Sequence, residues 1–215
     1  MKTYKLHFIR HGLTQANLEG RYVGHKDVRL CPQGIADLKK IKKDYIYPDV
    51  QVIFTSPMKR CLETCEILYP NIENPLILDG LIEYNFGAFE GKTAEELKDN
   101  EKFLEWMEGG LDVEPPFGES SREFGERIGQ TFERIVDGLL QTGIDNAAII
   151  THGGVMNALL AMYALPQARV TDWMCDEGFG YTCNITPSLW SEGRKIEAFA
   201  KCPVERKTFN PEVDG

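Results

Sequence analysis

Two apolar runs of the kind that make buried strands end in the same way. Residues 4–10 run into Arg10-His11-Gly12, and residues 146–151 run into His152-Gly153-Gly154. Similar runs at 51–56 and 75–79 alternate with segments of helical period. In a chain built like this the strands line up in parallel and the helices cover both faces of the sheet. The right-handed crossover rule gathers the strand C-termini on one edge, and ligands of such sheets bind at that edge. Both histidines fall there. The expected fold is α/β: a three-layer sandwich with a mostly parallel central sheet, helices on both faces and an inserted helical cap.

The helical segments carry their own signals. Pro32 sits at the first position of a helix through Leu38 and Ile41. Ser56-Pro57 opens another, with Cys61, Leu62, Cys65 and Leu68 on one face. Phe124, Ile128, Phe132, Ile135, Val136 and Leu139 line one face of a long helix over 121–141, and Gly153 opens a last one that stops before Pro166. The segments 182–190 and 195–200, around Ser191-Glu192-Gly193, look like a hairpin. The stretch 86–121 is acidic, helix-prone and broken by Gly109-Gly110 and Pro115-Pro116. It reads as a cap inserted beside the site within a single domain, 1–215. The polar residues after Cys202 read as a loose tail.

Composition removes several functions. The net charge of −9 argues against nucleic acid or an anionic membrane as a partner, since either calls for a basic face. No apolar stretch approaches the ~18 to 20 residues that span a bilayer, and no secretory signal is visible, so the expected location is cytoplasmic. The six cysteines show no C-x-x-C spacing and read as reduced thiols. Neither a metal site nor a cofactor is implied. Nothing in the chain separates a monomer from a homodimer.

Arg10, His11 and Gly12 together describe an anion pocket at a strand end. Glycine admits an oxyanion close to backbone N–H groups, and arginine offers a planar, permanently charged fork. Arg60 adds an independent argument. It falls in the first turn of the helix after Ser56-Pro57, where a cation opposes the helix dipole by about 0.3–1 kcal/mol. A bound anion would offset that cost, and pairing with Glu63 or Glu66 would do so too. His7 and His25 match no catalytic position; His7 reads as a strand residue facing a helix or solvent, and the pocket rim is only the minority reading for His25.

The ordered motifs resemble those of the histidine phosphatase (phosphoglycerate mutase-like) superfamily. They are Arg10-His11-Gly12-x-Thr14-x-x-Asn17, Asp27-x-x-Leu30-x-x-x-Gly34, Thr55-Ser56-Pro57-x-x-Arg60-x-x-x-Thr64, Leu81-x-Glu83-x-x-Phe86-Gly87-x-x-Glu90-Gly91, Gly118-Glu119-Ser120 and Thr151-His152-Gly153-Gly154. The resemblance implies that His11 attacks phosphorus to form a phosphohistidine, while Arg10, Arg60 and His152 hold the phosphoryl oxygens. It implies that Glu83 protonates the leaving oxygen and then activates water. Asn17, Gly12, Thr14 and Gly153 are the implied substrate-binding residues. Arginine and imidazolium would supply the positive charge, so a metal-independent enzyme of histidine acid phosphatase type is expected.

The superfamily holds phosphatases and mutases. Its mutase branch carries a basic residue directly after the acid glutamate and paired arginines in the cap. Here Tyr84 and Asn85 follow Glu83, and no arginine occurs from there to Ser121. An acidic cap is a poor clamp for a bisphosphate. The expected function is hydrolysis of a small-molecule phosphomonoester, similar to the broad-specificity and α-ribazole phosphatase branches, although glycine is more usual at Phe117. The alternatives are mutase-type phosphoryl transfer and a non-catalytic phosphate-binding regulatory module. Tyr84, Phe86, Phe89 and Trp106 are candidates either for an apolar rim around the leaving group or for ordinary cap packing.

Overall fold

The structure, a computed structural model, describes residues 2–206. Its elements run β1 (Tyr4–Arg10), α1 (Gln15–Leu18), α2 (Pro32–Asp44), β2 (Tyr45–Ile46), β3 (Val52–Thr55), α3 (Lys59–Leu68), β4 (Leu76–Ile77), α4 (Ala94–Leu97), α5 (Glu101–Glu108), α6 (Ser121–Thr142), β5 (Asn146–Thr151), α7 (Gly153–Tyr163), β6 (Ala164–Leu165), β7 (Gly180–Ile185), α8 (Pro187–Gly193), β8 (Ile196–Cys202) and β9 (Val204–Glu205). Seven strands form one sheet in the order β4-β3-β5-β1-β7-β8-β6, in which β7 runs against the rest. The chain thus has the expected α/β fold with a mostly parallel central sheet.

Alternation along the central strands builds the three layers. Leu6 and Phe8 of β1, with Ala147 and Ile149 of β5, face the apolar stripes of α6 and α7. Ile9, Ala148 and Ile150 face Leu38 of α2 and Cys61, Cys65 and Leu68 of α3. A strand buried on both faces reads as a continuous apolar run, which is why β1 and β5 stand out in the sequence. The α6 stripe is held at both ends. Ser120 and Glu123 form a reciprocal capping box at its start, and Gly143, with φ of 76°, closes its end.

Several local expectations need correction. The segments 182–190 and 195–200 do contribute antiparallel strands, but no tight hairpin joins them. Residues 187–193 are the helix α8, opened by the Thr186 hydroxyl accepting from the Leu189 N–H (3.4 Å) with Pro187 in the first turn. The Thr-Pro start signal outweighs the apolar strand-like run. The run 75–79 contributes only the two-residue β4, and α3 begins at Lys59 rather than at the Ser56-Pro57 pair. After Cys202, β9 pairs with β2 instead of trailing free. The remainder of the expected tail lies outside the described residues.

Within 86–121, α4 and α5 carry Leu97 and Phe103 onto Phe89, with Tyr22, Phe86 and Trp106 packed around them. The aromatics named as a rim are therefore mainly cap packing. Phe89 is buried, and the Trp106 indole N–H donates to the Tyr84 hydroxyl (3.1 Å). Among the described residues no helix is long and apolar enough to cross a membrane.

Phe132 joins the layers. It is fully buried on α6, with ring centroids 4.8 Å from Tyr163, 5.8 Å from Phe8 and 5.9 Å from Trp190. Phe132→Ala is expected to cost about 3–5 kcal/mol in chemical denaturation. Leu104→Ala, at an exposed cap position, should stay within about 0.5 kcal/mol.

Candidate active site

Register brings the site together. Arg10 of β1 lies opposite Thr151 of β5, and Thr55 of β3 opposite Ile150. The residues just beyond the strands, His11, His152 and Ser56, therefore meet at one edge. The His11 N–H donates to the Thr151 carbonyl (2.8 Å) and the Ser56 N–H to the Ile150 carbonyl (3.2 Å), which continues the ladder past the strand ends.

His11 is buried, with its Nδ1 2.7 Å from the Gly12 carbonyl oxygen. A carbonyl only accepts, so Nδ1 carries the proton and Nε2 keeps the lone pair. Burial, and then the charge of Arg60, pull the His11 pKa down to about 3; Arg10 adds to this and the bond to Gly12 opposes it. The imidazole is neutral throughout the physiological range. It meets the His152 ring edge-on, with centroids 5.2 Å apart.

His152 spends both nitrogens inside the protein. Arg60 Nε donates to its Nδ1 (3.2 Å), so its Nε2 carries the proton and donates to Ser56 Oγ (2.8 Å). In this arrangement it holds Arg60 and has no donor left for a phosphoryl oxygen. Burial, with Arg60 next, lowers its pKa well below the ordinary histidine value.

Arg60 is 1% exposed. Glu63 and Glu66 do not hold it; Glu63 instead pairs with Arg29 and accepts from the Leu30 N–H. Its Nη2 donates to the Gly24 carbonyl (2.7 Å) and its Nη1 to the Lys26 carbonyl (3.0 Å). That loop is itself strung on Glu90, which accepts from the N–H groups of Gly24 (3.0 Å), His25 (2.7 Å) and Lys26 (3.2 Å). Of five guanidinium N–H groups, three are spent and two remain.

Arg10 is fixed by a turn far along the chain. Its Nη1 donates to the Cys175 carbonyl (2.7 Å) and its Nη2 pairs with Glu177 (2.8 Å). Its Nε is buried with no partner among the described residues. A Cβ on Gly153 would lie 3.3 Å from that nitrogen, so the glycine leaves the guanidinium edge room at the start of α7.

Glu83 is buried, with Oε1 accepting from the Tyr84 N–H (2.9 Å) and Oε2 from the Gly154 N–H (2.8 Å). Burial raises its pKa; the two backbone bonds, Arg60 and Arg10 oppose that, and burial wins. The site thus pairs an unprotonated imidazole nitrogen with a carboxyl group biased toward its protonated form, flanked by two guanidinium ions with unspent donors. That set can bind a tetrahedral oxyanion, attack its central atom and protonate a leaving group. Among the described residues no group of three or more His, Cys, Asp or Glu is arranged to hold a metal.

The remaining expected residues fall around this centre. The Gly12 N–H is taken by Thr64 Oγ1 (2.9 Å), and a Cβ there would lie 2.6 Å from Leu38, so Gly12 serves packing rather than anion contact. Thr14 caps α1, and both its N–H (3.1 Å) and its hydroxyl (2.7 Å) go to Asn17 Oδ1. This leaves the Asn17 amide nitrogen without an acceptor among the described residues. His7 is buried between Thr182 (2.8 Å) and Asn146 (2.7 Å), away from the chemistry. His25 is exposed on the loop that holds Arg60. Gly154, Ser56, Thr64 and Glu90 lie within the motifs, so their positions carry a signal in the sequence; Cys175 and Glu177 carry none.

The class of the molecule follows from comparison. The family model of the histidine phosphatase superfamily (branch 1) matches residues 6–193, and the chain belongs to that superfamily. Among its curated relatives is the adenosylcobalamin/alpha-ribazole phosphatase of Salmonella typhimurium, 26% identical over 214 residues that cover 97% of this chain and 100% of the relative. A 2,3-bisphosphoglycerate-dependent phosphoglycerate mutase of Bifidobacterium longum is 27% identical over 192 residues, covering 74% of this chain and 77% of the relative. The crystal structure of the alpha-ribazole phosphatase from Shigella flexneri shares the fold, with a TM-score of 0.76 and 22% identity over 96% of this chain and 98% of that one.

The Glu83 seat is sensitive to its neighbour. A Cβ on Gly154 would fall 2.3 Å from Glu83 Oε1. Gly154→Ala is expected to displace the carboxyl group and lower kcat/KM for a simple phosphomonoester about a hundredfold. Steady-state kinetics with a crystal structure of the variant check both halves of the statement.

Proposed function

We propose that this chain hydrolyses small-molecule phosphomonoesters through a phosphohistidine intermediate on His11, without a metal. The observation that carries the reading is the His11 Nδ1 bond to the Gly12 carbonyl, which leaves a neutral Nε2 lone pair beside Arg10 and Arg60. In the first step Nε2 bonds to phosphorus, the ester P–O bond breaks, and Glu83 gives its proton to the departing oxygen. In the second, water attacks the phosphohistidine, Glu83 takes the water proton and the P–N bond breaks. Inorganic phosphate leaves and His11 is restored. The unspent N–H groups of Arg10 and Arg60, with the Asn17 amide, are assigned to the phosphoryl oxygens. The Gly153 N–H at the start of α7 is assigned the same task. His152 acts in this scheme by holding Arg60.

Hydrolysis is favoured over transfer between two phosphate sites by the cap. Lys98 and Lys102, which could clamp a second phosphate, are exposed and paired with Glu95 of α4 and Glu105 of α5. No arginine lies between Glu83 and Ser121. The relative that spans nearly this whole chain is named a phosphatase. Release of inorganic phosphate from a panel containing α-ribazole phosphate, sugar phosphates, phosphoserine and 3-phosphoglycerate with 2,3-bisphosphoglycerate tests the reading. Hydrolysis should proceed unchanged in EDTA and be inhibited by vanadate. Phosphoryl transfer between phosphoglycerates without net phosphate release would overturn it.

The pH dependence follows from two directions. His11 is competent when neutral, at all values above about pH 3. Glu83 is competent as an acid when protonated, below its raised pKa. For an ester with a poor leaving group, kcat/KM should therefore fall as pH rises through the Glu83 pKa. In Glu83→Gln that alkaline limb should vanish, on a level lowered about 10²–10⁴-fold. A limb that persists in the variant would remove Glu83 from the acid role.

A further inference from the structure

The backbone that carries Glu83 is gripped by one ion pair. Arg127, on α6, donates through Nη1 to the carbonyls of Ile82 (2.8 Å) and Gly80 (3.2 Å), and through Nη2 to the carbonyl of Glu83 itself (3.3 Å). The same guanidinium meets Glu119 on two edges, Nη2 to Oε1 (2.6 Å) and Nε to Oε2 (3.1 Å). Glu119 Oε1 also accepts from the Asn85 N–H (2.8 Å), and the Glu119 N–H donates to the Asn85 carbonyl (3.1 Å). The pair therefore holds the chain at Ile82 before Glu83 and at Asn85 two residues after it.

Its anchor is rigid. Arg127 stands on the longest helix, one residue from Ile128, which is buried in the core, and its guanidinium lies 5.3 Å from the Phe124 ring centroid. Both partners are largely buried, with side chains 26% and 14% exposed, so this is not a solvated surface pair. Gly80 fits closely over the same helix, since a Cβ there would lie 1.9 Å from Thr131 Oγ1. Glu119 also ends the Pro115–Gly118 turn of the cap, whose Pro116 carbonyl accepts from the Ala88 N–H (2.8 Å). The acid and the cap loop thus share one fastening.

We propose that Arg127 and Glu119 are positioning residues for Glu83, holding its backbone so that the carboxyl group meets the leaving oxygen. The inference rests on the acid role proposed above for Glu83. The two bonds that seat the Glu83 side chain, from the Tyr84 and Gly154 N–H groups, keep their geometry only if the backbone at 83 and 84 stays in place. Displacement of a catalytic group by about 1 Å costs on the order of a hundredfold in rate. Arg127 is a fork whose task is geometric, because Glu119 already matches its charge. A lysine has the charge but cannot reach three carbonyls and a carboxylate together.

The test compares leaving groups. Protonation matters for an alkyl ester such as glycerol phosphate and hardly at all for 4-nitrophenyl phosphate, whose leaving group departs as an anion. In Arg127→Lys and in the near-isosteric Glu119→Gln, kcat/KM for glycerol phosphate should fall at least about 30-fold. For 4-nitrophenyl phosphate it should fall about threefold or less, and the alkaline pKa of the profile should stay in place. Glu83→Gln, run beside them, should show the same selectivity in stronger form. If both variants lose activity equally on the two esters, or lose none on glycerol phosphate, the positioning role is overturned. If Glu83→Gln itself shows no selectivity, the acid assignment fails instead. Should Arg127→Lys fail to fold, Glu119→Gln decides alone.

Discussion

The parallel pairing that sets Arg10 opposite Thr151 puts His11 beside His152, and the other groups of the site are placed relative to that pair. A slip of one residue would turn the apolar residues of β1 to the wrong layers and carry His11 away from the edge. Leu6 and Phe8 on one face, and Ile9 on the other, make such a slip costly. The packing of the core thus fixes the position of the chemistry. Beyond the strand ends the ladder continues for one more residue at His11 and Ser56, so His11 is held by the sheet and not by a free loop, while the His152 ring is held between Arg60 and Ser56.

Charge sets the second constraint. Arg60 is buried, and an unaccompanied guanidinium there would cost several kcal/mol. Burial does pull its pKa down, while Cys61, Glu83, Glu90 and Asp27 lie near enough to oppose that. Carbonyls of Gly24 and Lys26 solvate it, and Glu90 holds their loop in shape through three N–H groups. Arg10 is balanced by Glu177, and its buried Nε has no partner among the described residues. The protein therefore carries unspent hydrogen-bond capacity where an anion would use it. Neutral His11 and uphill-shifted Glu83 result from the same burial acting with opposite sign on a base and an acid.

What the sequence reveals divides along physical lines. Strands buried on both faces are legible because apolar residues fall on both of their faces, and the histidines that follow them are legible by position. Arg60 is legible because a cation in the first turn of a helix opposes the dipole. The groups that offset it, two backbone carbonyls from residues 24 and 26, have no sequence signature. Glu83 stands in an irregular loop and is visible only through resemblance to a family. The Cys175–Glu177 turn is separated from Arg10 by more than 160 residues and is brought beside it by the antiparallel pairing of β7 with β1. Arg127 looks like any polar-face arginine of a long helix until its partners are seen. The misread hairpin has a simple cause: Thr186-Pro187 starts a helix, and that local signal stands inside an apolar run that resembles a strand.

In the proposed mechanism His11 Nε2 carries the phosphoryl group. Rapid quenching into alkali, during turnover of an ester labelled in its phosphoryl group, preserves a phosphohistidine for peptide mapping. The account predicts an alkali-stable, acid-labile label on the peptide containing His11, attached at Nε2, formed within one turnover and absent from His11→Ala. A label on another residue, or a His11→Ala protein that turns over at the wild-type rate, would contradict it.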